Sequence, residues 1–126
     1  TDGGFGYTSP GGSNNPRTAI GALMFALAKK KEGDVFKGAM NYLITNQASA
    51  GYDHYYHYFL YYAAQTYFHA SPQLWDEWNT QNISKLKGNQ AKNGSWPGGN
   101  FGPTFSTTAS LLSLALNYRY LPIYER

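Results

Sequence analysis

The sequence predicts an all-α fold in which about five helices alternate between two layers. Three segments are apolar or small nearly all round, at residues 18–28, 55–70 and 107–118, and two amphipathic segments lie between them, at residues 36–46 and 75–87. A helix that is apolar on every side is buried on every side, whereas an amphipathic helix keeps one face in solvent. The alternation therefore predicts an inner and an outer layer, which is the pattern of a partial α/α toroid, a superhelix of helical hairpins.

Proline and glycine mark the ends of these segments, because neither continues a helix well. Pro16 precedes the first segment, and Pro72 follows the third. A strand is the competing interpretation of residues 55–62, since tyrosine is common in strands. The alanine pair and glutamine that follow favour a helix. The pattern predicts helices near residues 17–30, 36–47, 54–69, 75–90 and 104–120, with essentially no sheet.

The composition narrows the class of protein. The 126 residues fit one domain over residues 1–126, and the chain begins at Thr1, so we expect a piece of a longer protein. Charged residues make up only 13% of the chain, so many faces must be buried. The absence of cysteine excludes disulfides and thiolate ligands but does not decide the compartment. No apolar run reaches the roughly 20 residues that a membrane span needs.

The distribution of charge and the apolar first and last helices predict which kinds of partner the chain binds. The one run of basic residues, 29–31, stands where the first helix should end and complements its dipole, so we expect no nucleic-acid partner. The first and last helices are apolar nearly all round, and monomers rarely expose apolar patches larger than a few hundred Å². We therefore expect self-association or contact with the rest of the parent chain, and a symmetric dimer is the commonest form of self-association.

A glycine-aromatic motif recurs along the chain. It stands at residues 2–5, 51–52 and 93–96, with its aromatic residues 47 and then 44 residues apart. A glutamine, Gln47 or Gln90, closes the helical stretch ahead of each of the last two copies. A period of this size is typical of stacked supersecondary units.

The chain resembles the QW-type repeat of the prenyltransferase and squalene-cyclase family over nearly its whole length, as about two and a half repeats. The resemblance rests on two motifs and a lead-in, which are Gln47-x-x-x-Gly51-Tyr52, Gln90-x-x-x-Gly94-Ser95-Trp96 and Lys37-Gly38-x-x-x-Tyr42-Leu43. It implies a terpenoid-cyclase-like α/α toroid, although tyrosine stands at position 52 where tryptophan is usual. In such a repeat, the glutamine hydrogen-bonds backbone groups left open at the end of an outer helix, and the glycine permits the tight turn that follows. The aromatic ring covers the junction between the outer helix and the next inner helix. Structural roles are thus implied for Gln47, Gly51, Tyr52, Gln90, Gly94 and Trp96.

The resemblance also implies that the starts of the inner helices face a central cavity. The middle start is the richest in candidate ligand-binding side chains, namely Asp53, His54, Tyr55, His57, Tyr58, Tyr61 and Tyr62. Three interpretations compete: a metal site, an aromatic wall facing a ligand, and tyrosines that only fill gaps between the layers, with Asp53 as an N-cap.

The candidate residues do not identify a catalytic reaction. Protein prenyltransferases of the family hold zinc with an aspartate, a cysteine and a histidine, and this chain has no cysteine, so we expect no metal and no other cofactor. Squalene-type cyclases stabilise carbocations on aromatic faces. Their acid is an Asp-x-Asp-Asp motif, which this sequence lacks. If the protein is an enzyme, the resemblance implies a transferase or a terpene cyclase.

The leading hypothesis is a prenyltransferase and squalene-cyclase-like repeat domain with an aromatic-lined cavity and a hydrophobic small molecule as its partner. A first alternative is a non-catalytic binding or scaffold domain on the same fold. A second is an α/α-toroid enzyme that acts on polysaccharide, in which aromatic walls stack on sugars. The motifs leave all three open, because they report the fold and not the chemistry.

We predict that the purified protein carries no tightly bound zinc. The prediction rests on the absence of cysteine and on the isolation of the cluster at Asp53, His54 and His57. Elemental analysis checks it. Stoichiometric zinc that is lost when His54 and His57 are both replaced by alanine would contradict it.

Overall fold

A computed structural model describes residues 2–9, 11–47, 55–98 and 100–119. It contains five α-helices, α1 to α5, and no strand within these ranges, so the prediction of an all-α fold is confirmed. A single turn of 3₁₀-helix, Leu116–Tyr118, extends the last helix. The five helices are Asn15–Leu27, Asp34–Thr45, Tyr56–Ala70, Pro72–Asn89 and Gly102–Ala115.

Side-chain caps mark the starts of α1 and α4. Asn14 accepts a hydrogen bond from the backbone N–H of Arg17 at the start of α1, and proline occupies the first turn of α1, α4 and α5. The predicted start of α4 at residue 75 was three residues late. The Ser71 hydroxyl accepts from the Leu74 N–H at 3.2 Å, so Ser71 ends α3 and also caps α4. Proline at position 72 therefore begins a helix.

The helices form a row of three with two more helices on one side. Helices α1, α3 and α5 pack side by side, α2 packs on α1, and α4 packs on α3. The Lys31 ammonium beyond the end of α1 donates to the His69 carbonyl near the end of α3 at 2.8 Å, so α1 and α3 run parallel. The Asn15 amide at the start of α1 donates to the Asn46 carbonyl at the end of α2, so α2 runs antiparallel to α1.

Helix α3 is the centre of the core. Ala19 and Ala22 of α1 are fully buried, and their small side chains let α3 approach closely. The Thr66 hydroxyl lies 2.9 Å from the Ala19 carbonyl oxygen and bridges the two helices. On the side that faces α4, the Tyr67 ring stacks on Trp78 with centroids 5.2 Å apart. The row is thus joined by small residues, and the two layers are joined by aromatic rings.

The turn before α5 links both layers. The Trp96 side chain is only 4% exposed, and its indole N–H donates to the Leu86 carbonyl of α4 at 2.8 Å. The Trp96 backbone N–H donates to the Thr107 hydroxyl of α5 at 3.1 Å. The Gln90 side-chain amide donates to the Gly94 carbonyl at 2.9 Å, and Gly94 has φ +84°, a conformation that favours glycine.

The turn before α1, at residues 2–5, has the same geometry as the turn at residues 93–96. In each turn the side-chain oxygen of the first residue accepts from the backbone N–H of the third, at 3.0 and 3.1 Å. The second residue is glycine, with φ +83° and +84°. The aromatic fourth residue donates its backbone N–H to a threonine of the next helix, Thr18 or Thr107, at 3.0 and 3.1 Å. The first and last units of the chain therefore repeat each other in structure.

The middle unit is described only in part. The Gln47 amide donates to the Gln81 side chain of α4 at 2.8 Å, a different bond from that of Gln90. Gly51 and Tyr52, to which the resemblance gives structural roles, lie outside the described residues.

We predict that Trp96→Ala lowers the free energy of unfolding by about 2–4 kcal/mol, because it removes a large buried ring between the layers. Trp96→Phe keeps a ring but leaves the Leu86 carbonyl without its donor, so we expect a smaller loss of about 1 kcal/mol. Urea denaturation measures both. An unchanged midpoint for the alanine variant would mean that the ring does not join the layers.

Candidate functional site

One face of α3 remains open. Tyr58, Tyr61 and Tyr62 are half-buried, whereas the rest of the helix from Tyr56 to Phe68 is buried. Spacings of three and four residues place the three tyrosines on the same face of a helix. Helices α1, α4 and α5 pack on the other sides of α3, so this face is the one left over.

The open face forms one wall of a groove between α3 and α5. The groove has a volume of about 260 Å³. The rings of Tyr58 and Tyr62 meet edge to face with centroids 5.1 Å apart, and those of Tyr61 and Tyr62 do so at 5.0 Å. This arrangement suits the opposite charges of a ring's face and edge. The lining residues are Tyr58, Tyr61, Tyr62, Phe105, Thr108, Ala109 and Leu112.

The groove is uncharged near neutral pH. Its described lining contains no acidic or basic side chain. Burial, followed by the neighbouring Tyr58 and Tyr61, raises the pKa of the Tyr62 hydroxyl above its ordinary value of 10.0. The groove therefore offers aromatic and aliphatic surface, with tyrosine and threonine hydroxyls as its polar groups.

The other candidates from the sequence lie elsewhere. His57 is buried at 4% exposed, edge-on to Tyr56 with ring centroids 5.2 Å apart, and it does not line the groove. Tyr55 packs on Phe101 with centroids 6.2 Å apart and also lies outside the lining. Asp53 and His54 fall outside the described residues. The structure thus brings together Tyr58, Tyr61 and Tyr62 from the predicted group.

The sequence did not indicate the wall that α5 supplies. Phe105, Thr108, Ala109 and Leu112 recur at three- and four-residue spacings, which place them on one helix face. This spacing can be seen in the sequence. It did not separate these four positions from the rest of the helix, because every face of the helix is apolar or small.

A second cavity lies on the opposite side of α3, between α2 and α4. Its volume is about 410 Å³, and Trp78 and Asn82 contribute to its lining. The Lys85 ammonium, also in the lining, lies 4.3 Å from the centroid of the Tyr56 ring. The cavity borders Gln47, where the described chain breaks off until residue 55, and we assign no site to it.

Comparison with known proteins identifies no related protein. No protein-family model, curated protein or solved structure matches the chain. Within the described ranges, no three His, Asp or Glu side chains lie close enough together to hold a metal ion. The helices that the structure describes include none long and apolar enough to cross a membrane. The groove is therefore interpreted from its own geometry.

We predict that His57 makes the fold sensitive to mild acid. Burial lowers the pKa of its imidazole below the ordinary 6.5, so the unfolded chain binds this proton more readily than the folded chain. The free energy of unfolding should then fall as the pH drops through 6.5 and below, towards the lowered pKa of the folded state. Urea denaturation across this interval should show a smaller fall for His57→Gln than for the wild type. Identical pH dependence of the two proteins would contradict the prediction.

Proposed function

We propose that this chain is a segment of an α/α toroid of the prenyltransferase and squalene-cyclase repeat kind, and that its tyrosine groove binds an apolar small molecule of the isoprenoid class. The observation that carries the proposal is the uncharged groove between α3 and α5, walled by three tyrosines on one side and by Phe105 and Leu112 on the other.

The helix arrangement supports the proposed fold. Helices α1, α3 and α5 stand in a row, with α1 and α3 parallel, while α2 and α4 pack on the first two of them. The glutamine, glycine and tryptophan of the last motif meet at the junction between the layers. The duplicated turns at residues 2–5 and 93–96 support a true repeat, since a single turn of this kind arises easily by itself.

The shape and chemistry of the groove support the proposed ligand. Ligand pockets for drug-sized molecules measure roughly 300–1,000 Å³. A groove of about 260 Å³ therefore holds part of an extended chain, with the remainder lying along neighbouring surface. Met24 and Leu27 add exposed apolar surface on α1, the other neighbour of α3 in the row.

The described side chains favour binding over catalysis. Cleavage of glycosidic bonds uses a pair of carboxylates, and the described lining of the groove contains none. Its hydroxyls belong to tyrosines and a threonine, and Tyr62 holds its proton more tightly than an ordinary phenol does. The polysaccharide alternative thus lacks its reacting groups here, whereas an apolar ligand needs none.

We predict that farnesol, an uncharged isoprenoid alcohol, binds the protein saturably and that Tyr62→Ala weakens the binding about tenfold. That factor corresponds to roughly 1.4 kcal/mol, the scale expected when part of an aromatic contact is lost. Isothermal titration calorimetry measures the dissociation constants.

Tyr7→Ala is the matched control, because Tyr7 is 84% exposed and stands outside the groove lining. This variant should bind farnesol as the wild type does. Equal weakening by both substitutions, or no binding by the wild type, would contradict the proposal. Saturable binding of a neutral oligosaccharide in place of farnesol would favour the polysaccharide alternative.

A further inference from the structure

The turn before α5 contains an asparagine followed by a glycine, Asn93 and Gly94, and every other asparagine of the sequence is followed by a residue with a side chain. In an asparagine-glycine pair the glycine nitrogen reaches the side-chain carbon Cγ of the asparagine most easily, because glycine has no Cβ and allows the widest range of backbone conformations. Both residues are exposed, so water also reaches the pair. The turn therefore holds the two groups that react in spontaneous deamidation.

The closed turn keeps the attacking nitrogen occupied. The Gly94 N–H donates to the Ala91 carbonyl at 2.9 Å, and the Ala91 N–H donates to the Ser95 carbonyl at 2.8 Å. The Gln90 side-chain amide donates to the Gly94 carbonyl at 2.9 Å, so the backbone of Gly94 is bonded on both sides. A hydrogen-bonded N–H gives up its proton less readily than a free one, because the bond stabilises the protonated form.

The asparagine side chain is held as well. The Asn93 Oδ1 atom accepts from the Ser95 backbone N–H at 3.1 Å and from the Ser95 hydroxyl at 2.8 Å. Two bonds to one oxygen restrict rotation of the amide group. Local opening of the turn releases this side chain and the Gly94 nitrogen together.

The turn at residues 2–5 shows that an aspartate fits the place of Asn93. The Asp2 carboxylate accepts from the Gly4 backbone N–H at 3.0 Å and from the Ser13 hydroxyl at 3.0 Å. The bond from Gly4, followed by that from Ser13, lowers the pKa of this carboxyl below its ordinary value of 3.8. It therefore accepts as an anion near neutral pH, which strengthens the bond to the turn.

We propose that Asn93 is a site of spontaneous deamidation and that opening of its turn sets the rate. In the open turn the Gly94 nitrogen bonds to Asn93 Cγ, the bond from Cγ to the amide nitrogen breaks, and ammonia leaves with the proton that Gly94 loses. Water then opens the cyclic imide. Cleavage between the Gly94 nitrogen and Cγ gives aspartate, and cleavage between that nitrogen and the backbone carbonyl carbon of residue 93 gives isoaspartate.

The two products act differently on the fold. Aspartate keeps the turn, in the manner of Asp2 in the first unit. Isoaspartate lengthens the main chain by a methylene group just before Trp96, which bonds Leu86 of α4 through its indole and Thr107 of α5 through its backbone. Formation of isoaspartate therefore loosens α5 from α4. This modification does not depend on the ligand proposed above.

Incubation of the whole protein at neutral pH, followed by peptide mass spectrometry, tests the site. The mass gain from exchange of an amide for a carboxyl should appear at Asn93 before it appears at any other asparagine. The same incubation in urea gives the rate of the open chain. That rate should exceed the rate of the folded protein several-fold.

Ser95→Ala tests the control by the turn, because it removes the hydroxyl bond and keeps the backbone bond to Asn93. The folded variant should deamidate about fivefold faster than the wild type, a factor that corresponds to about 1 kcal/mol, the scale of one hydrogen bond. In urea the two rates should be equal. Ser84→Ala is the matched control, because Ser84 is an exposed serine of α4 outside the turn, and this variant should keep the wild-type rate.

Asn93→Asp tests the product directly. It should keep the wild-type midpoint in urea denaturation, since Asp2 makes the same turn.

Three results would overturn the proposal. Deamidation that occurs at other asparagines and spares Asn93 would remove the site. A folded protein that reacts as fast as the chain in urea, or a Ser95→Ala variant with the wild-type rate, would remove the control by the turn. A clear fall of the midpoint in Asn93→Asp would show that the turn rejects its own product.

Discussion

The close contact of α1 with α3 sets the geometry on which the rest of the structure depends. It is made by alanines at positions 19 and 22 and by the Thr66 hydroxyl, which bridges to a carbonyl oxygen of α1. Larger side chains at these alanines would push the helices apart, because protein interiors are packed at crystal-like density. With α1, α4 and α5 packed around it, α3 has a single face left. The three groove tyrosines occupy that face, so the groove is a consequence of the packing of the row.

The second constraint is the turn that returns the chain from the outer to the inner layer. An aspartate or asparagine oxygen, a glycine with positive φ and a backbone bond to a threonine define it in two places. The two hydrogen bonds satisfy backbone N–H groups of the turn, and the glycine permits the backbone conformation that the turn needs. Trp96 adds a ring that fills the junction, and its indole bond holds the last turn of α4. The sequence motif is therefore a set of local bonds that fix the angle between successive helices.

The sequence predicted the helices well because alternating apolar and amphipathic stretches are a direct record of burial. The start of α4 was misplaced, since Ser71 serves two helices and its second role shows only in the folded chain. Within the site, Tyr58, Tyr61 and Tyr62 were predicted, but His57 was placed in the same group and is buried elsewhere. Helix α3 has aromatic residues on all sides, so its sequence shows no polar face that would predict which side is open to solvent. The open face is decided by which neighbours pack on α3, and α5 is separated from it by more than thirty residues of chain.

The linear row also shapes how the molecule opens. Among the described residues, α1 and α5 each pack on α3 in the row, so stability accumulates from one unit to the next, as in repeat proteins. Within the described ranges, α3 has a row neighbour on both sides, whereas α5 has a row neighbour only in α3. The backbone amides at the centre should therefore exchange with solvent only through opening of nearly the whole structure, while the edges open locally at lower cost. The groove lies between these two helices, so we expect changes in its width to come from movement of α5 and not of α3.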